Sequence, residues 1–215
     1  MCFFKKKEKE NKTLKNDILP QGELKPIGGV IFYEDMFAGG SYRLYDKDKN
    51  VTSDKSKAVY YEIVIPGSGP RFYAVDLKLE GPYRWTRQNQ KIGVEGTDIG
   101  MGKFNTLTVL ETEDHSPYPD PSLWKALTER NKNFVGGCND WFVGSRDEVD
   151  EVLKSGVGKD WFKPEKGHKK RDKLLLWSSS EREHPDLVWY WDEEINKWYR
   201  QIKQWGCKVC FIRSF

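Results

Sequence analysis

Segments of strand character stand at both ends of this chain, and helix signals stand only between them. Ile27-Gly28-Gly29-Val30-Ile31-Phe32-Tyr33, Tyr42-Arg43-Leu44-Tyr45 and Ala58-Val59-Tyr60-Tyr61-Glu62-Ile63-Val64-Ile65 are short β-type runs bounded by turn residues. Arg71 to Leu77, after Pro66-Gly67-Ser68-Gly69-Pro70, is expected to pair with the preceding strand as a hairpin. The middle reads differently. Asn105 is expected to cap a helix running to about Glu111, and Ser122 one carrying Leu123, Trp124 and Leu127 on one face. Ser145 with Glu148 three residues on is a capping box, followed by Val149, Val152 and Leu153 at helical spacing and by Gly156 as a stop. Then come Leu174 to Trp177, Leu187 to Trp191, Trp198 to Ile202 and Val209 to Arg213, spaced as a closing antiparallel meander. Strands, helices, strands in that order imply an α+β fold with segregated elements.

The 215 residues suit one domain: a basic tail over 1–22 and a single folded unit over 23–215. Aromatics reach 14%, too many for a disordered chain, and a net charge of +3 is too balanced to argue for nucleic acid by bulk charge. No apolar run approaches the roughly 18 residues of a membrane helix. The charges of the start follow only a few apolar residues, so no signal peptide is expected, and the cytoplasm or a phage particle is the expected location.

Motifs that would carry chemistry break down one by one. Gly100-Met101-Gly102-Lys103-Phe104 puts Phe where a phosphate loop needs Ser or Thr. Asp46-Lys47-Asp48-Lys49-Asn50 starts like a calcium loop, but Val51 takes the glycine position and Lys57 that of the bidentate Glu. His115, His168 and His184 lie in polar or proline-flanked loops with no adjacent nucleophile. Cys207 and Cys210 form a CxxC without a second ligand pair. On a strand they would face opposite ways, so both are expected to be reduced structural thiols, as are the remaining cysteines. No metal and no cofactor is expected. The Lys-rich loop 163–173 has no interleaved stacking aromatic, so nucleic acid is not the expected partner.

Five segments in order resemble one family: Gly28 to Tyr33, Ile99 to Thr106, Asn139-Asp140-Trp141-Phe142-Val143-Gly144-Ser145-Arg146-Asp147-Glu148-Val149, Leu176-Trp177-Ser178-Ser179-Ser180-Glu181, and Val209 to Phe215. The chain resembles bacterial and phage domains of the C-type-lectin-like fold. Their relatives include the variable proteins of diversity-generating retroelements and, more distantly, the formylglycine-generating enzymes. The resemblance implies twisted antiparallel sheets, two main flanking helices, and chain ends lying side by side. It also implies a binding face between the Trp-Ser-Ser-Ser-Glu motif and the last strand. Here that stretch carries Glu181, Arg182, His184, Trp189, Trp191, Trp198, Tyr199, Arg200 and Trp205, the aromatic and arginine types that dominate recognition surfaces. The expectation is a non-enzymatic module that captures a protein or glycan ligand on another cell or particle, in the manner of a retroelement target protein. Calcium-dependent sugar binding is not expected, since Tyr118-Pro119-Asp120 and Asn139-Asp140-Trp141 depart from the lectin triplets. The alternatives are a thiol-dependent enzyme using Cys207 and Cys210, or a nucleic-acid binder using the Lys-rich tail and loop.

Overall fold

A computed structural model describes residues 23–86, 91–112, 122–163 and 173–215. Among them the order of elements is β1 (Lys25–Pro26), β2 (Val30–Glu34), β3 (Ser41–Tyr45), β4 (Val51–Thr52), β5 (Tyr60–Ile65), β6 (Phe72–Val75), β7 (Glu80–Arg84), α1 (Met101–Thr112), α2 (Leu123–Lys132), β8 (Phe142–Val143), α3 (Arg146–Ser155), β9 (Leu175–Glu181), β10 (Leu187–Asp192), β11 (Lys197–Ile202), β12 (Gly206–Val209) and β13 (Phe211–Ser214). The protein is α+β, and the described residues form three α-helices, where two main ones were expected, and three sheets of order β1-β5-β3-β4, β11-β10-β9-β12-β7 and β2-β6-β13-β8. All strand pairs are antiparallel except β12 with β9, where Lys208 faces Leu176.

The caps written into the sequence form where their residues allow. Ser122 accepts from the Lys125 N–H to start α2, whose buried face is Leu123, Trp124 and Leu127. Ser145 and Glu148 close a reciprocal capping box on α3, and Gly156, at φ 71°, ends that helix in the left-handed conformation that glycine adopts without strain. α1 does not start at Asn105. It starts at Met101, and Asn105 lies fully buried inside it, its Nδ2 donating to Gly96 O at 2.7 Å and to Ser179 Oγ at 3.3 Å. The missing local cap is replaced from afar, because the Glu148 carboxylate accepts from Gly100 N–H at 2.9 Å.

Two strand expectations are corrected. β6 does not pair with β5. It lies between β2 and β13 in a different sheet, because all four of its residues are buried and so need cover on both faces and neighbours on both edges. The closing meander holds only for β9, β10 and β11. β12 turns back parallel to β9, and the chain crosses at Cys210 into another sheet as β13.

Three apolar clusters result. One packs Trp85, Trp124, Trp141 and Trp177 between α2 and the five-stranded sheet. A second joins Val149 and Val152 of α3 to Leu176, Trp191 and Ile212. The third lies between β5 and the end of the chain, where Tyr61 stacks on Phe215 with ring centroids 4.2 Å apart. Each fully buried large apolar side chain contributes about 1.5–3 kcal/mol. Arg213 ties the described start to the end, its Nη1 donating to Pro26 O and to Ile27 O at 3.0 Å.

Candidate functional site

β10 and β11 form a regular hairpin at one end of the five-stranded sheet, with register from Leu187↔Ile202 to Asp192↔Lys197. Cross-strand partners share a face. One face therefore carries Leu187, Trp189 and Trp191 opposite Ile202, Arg200 and Trp198. The other carries Val188, Tyr190 and Asp192 opposite Gln201, Tyr199 and Lys197. β10 is covered on both sides, because Val188 and Tyr190 enter the first apolar cluster and Trp191 the second. β11 is the edge strand, and most of its side chains stay in water.

The stretch expected to form one binding face thus divides. Trp191 is buried at 6% exposure, its ring 5.7 Å from that of Phe162, so it is a core residue and cannot meet a ligand. Glu181 is likewise corrected. Its carboxylate is buried, accepts from the N–H groups of Ile92, Gly93 and Val94, and is ion-paired with the fully buried Lys203 ammonium. That carboxylate fastens the 91–94 segment to the sheet and has no access to solvent. Trp198 is half-buried, and its Nε1 donates to Asp150 Oδ1 on α3 at 3.1 Å.

The remaining residues are reachable. Tyr199 and Trp205 are 51% and 56% exposed. Arg200 and His184 are exposed, and Trp189 and Arg182 are half-buried. The Arg182 guanidinium carbon lies 4.3 Å from the Trp189 ring centroid, and that of Arg146, from the first turn of α3, lies 5.3 Å away. Arg200 faces Trp189 across the ladder. Sequence reasoning missed Arg146, which reaches this site only through the packing of α3. It also missed Ile202, 41% exposed, which the two-residue period from Arg200 could have found.

The two CxxC thiols do point apart: Cys207 enters the first apolar cluster and Cys210 the second. Burial pushes the Cys210 thiol up to about 12 and Cys207 higher still, so neither is a thiolate near neutral pH. Cys138 is buried as well, with Arg213 Nη1 2.8 Å from its Sγ, and burial raises its pKa too. Among the described residues no group of three or more His, Cys, Asp or Glu could hold a metal ion. The Asp46 run forms a turn in which Asp46 Oδ1 accepts from the N–H groups of Asp48 and Asn50, both at 2.9 Å. No described helix is long and apolar enough to cross a membrane. The 1–22 tail, His115, Tyr118-Pro119-Asp120, His168 and nearly all of the Lys-rich loop lie outside the described residues. Compared with family models, with curated proteins and with solved structures, the chain matches none.

Proposed function

We propose that this chain is a binding module, built on a C-type-lectin-like scaffold, that captures a protein or glycan partner through the edge of its five-stranded sheet. One observation carries the reading. β10 is locked between two apolar clusters, while the adjoining β11 and the turn after it hold Tyr199, Arg200, Ile202 and Trp205 out in water. Large exposed aromatic groups on a rigid strand bind with little loss of side-chain freedom, which is why such residues concentrate in recognition surfaces. Trp189 shares the Arg200 and Ile202 side of the hairpin, with Arg182 on its ring and His184 exposed in the β9–β10 turn, while Tyr199 projects from the other side of the same edge strand. Glu181 and Trp191 belong to the buried scaffold that holds this edge in place.

The test is selection of ligands for the full chain from a displayed peptide library and from a glycan array. Tyr199→Ala and Trp205→Ala are expected to weaken the selected ligands about tenfold each or more. Ligands that bind these variants as tightly as the parent chain would place the surface elsewhere and overturn the reading. Membership of a diversity-generating retroelement adds a genomic expectation: a neighbouring reverse transcriptase gene and a near-copy of the 3′ end whose mismatches fall at template adenines. A neighbourhood without these removes the retroelement part alone.

A further inference from the structure

Resting on the binding face just described, we propose that Trp189 and the arginines around it receive the carboxylates of an acidic polypeptide segment that lies along the open edge of β11. Two guanidinium groups, those of Arg182 and Arg146, lie against one half-buried indole, and Arg200 is its register partner on the same face of the ladder. Only Arg146 has a carboxylate, its Nε donating to Asp147 Oδ1 at 2.8 Å. Among the described residues no carboxylate lies within ion-pair distance of Arg182 or Arg200. The acids at the β10–β11 turn do not neutralise them, since Lys173 pairs with Asp192 at 2.9 Å and Glu194 at 3.1 Å. Of the acids in the β9–β10 turn, Asp186 faces His184 at 3.8 Å and Glu183 makes no ion pair with Arg182, so Arg182 and Arg200 carry no ion-paired carboxylate among the described residues.

The indole gives the patch its specificity. Stacking on Trp189 orients the Arg182 and Arg146 forks before any ligand arrives, which lowers the ordering cost of binding, and a guanidinium meets a carboxylate through paired N–H donors. The edge of β11 supplies the second element. No described strand pairs with its outer side, and its sequence Lys197-Trp198-Tyr199-Arg200-Gln201-Ile202 holds two cations and no carboxylate. An extended chain pairing there would align alternate side chains with Arg200 and its neighbours. Lys197 alone would suffice to guard an edge against aggregation; arginines gathered on an indole go beyond that need. Arg182 comes from the β9–β10 turn, Arg146 from α3 and Arg200 with Lys197 from the open strand, a spread that suits a row of carboxylates better than one phosphate.

The experiment measures binding of a labelled octapeptide of alternating Glu and Thr to the full chain. A Gln-for-Glu version, inorganic phosphate and a heparin oligosaccharide are the other probes. The acidic peptide is expected to bind about tenfold or more tighter than its Gln counterpart. Arg182→Gln and Arg200→Gln should each loosen it by a similar factor, and binding should weaken steeply between about 0.1 and 0.5 M salt. Circular dichroism checks that these two surface variants keep the fold. Equal binding of the Gln peptide, indifference to both arginine variants, or absence of peptide binding overturns the proposal. So does arginine-dependent binding of phosphate or heparin without the peptide. Library ligands lost on Tyr199→Ala and Trp205→Ala but kept on Arg182→Gln and Arg200→Gln would overturn this inference while leaving the binding face intact.

Discussion

The Lys203 ammonium has no exposed surface, and its stability depends on the Glu181 carboxylate beside it. Breaking such a pair leaves a buried charge uncompensated. Lys203→Met is expected to lower unfolding free energy by about 3–5 kcal/mol, read from urea melts, and Glu181→Gln added to it should restore part of that loss. A double variant no more stable than Lys203→Met would show that the pair is not the unit. Glu148 carries a different charge problem. Burial raises its pKa from 4.5 to about 7, against the opposing pull of the Ser145 and Gly100 N–H groups. A carboxyl whose folded pKa is raised binds its proton more tightly in the fold. It contributes stability that is full below about pH 4.5 and is lost as pH rises through about 7. Relative to Glu148→Gln, which cannot titrate, the parent chain should lose roughly 3 kcal/mol across that window in pH-dependent denaturant melts. Parallel curves for the two would contradict it.

At the scale of elements, the hairpin of β10 and β11 separates support from contact. Trp191→Ala should cost about 3–5 kcal/mol by opening a cavity against Phe162 and α3. Tyr199→Ala and Trp205→Ala, which remove exposed rings, should change stability by under about 0.5 kcal/mol while weakening ligand binding about tenfold each or more. Thermal melts run alongside binding assays distinguish these outcomes. Sequence alone could not divide this stretch, because Trp189 and Trp191 share a face and differ only in what lies above them: two arginines for one, Phe162 for the other. The helices illustrate the same limit. α2 and α3 were legible because Ser122, Ser145 and Glu148 cap within their own first turns. α1 begins five residues before the start expected from a cap at Asn105, because its terminus is met by a carboxylate 48 residues away. Strand β6 pairs with β2 and β13, and not with β5 as the sequence implies, for a related reason: a continuous apolar run reports burial on both faces and not which strands provide it.

For the whole molecule, the three described thiols are distributed among apolar packing, with Cys207 and Cys210 committed to different clusters. The folded chain should leave Cys138, Cys207 and Cys210 unlabelled by a maleimide that modifies all of them in guanidinium chloride. Rapid native labelling of Cys207 or Cys210, detected by mass spectrometry, would mean that the sheet opens where β12 passes into β13.

The sequence by itself determined what depends on near neighbours: the α+β order of elements, the capped helices α2 and α3, and the opposed directions of Cys207 and Cys210. These follow from side-chain periods and from caps that reach only a few residues. Tertiary structure alone decided that Glu181 and Trp191 serve the scaffold, that Arg146 joins Trp189, and that β12 and β13 belong to different sheets. Each of those outcomes depends on which surface lies opposite, and burial and charge pairing are properties of the two surfaces together.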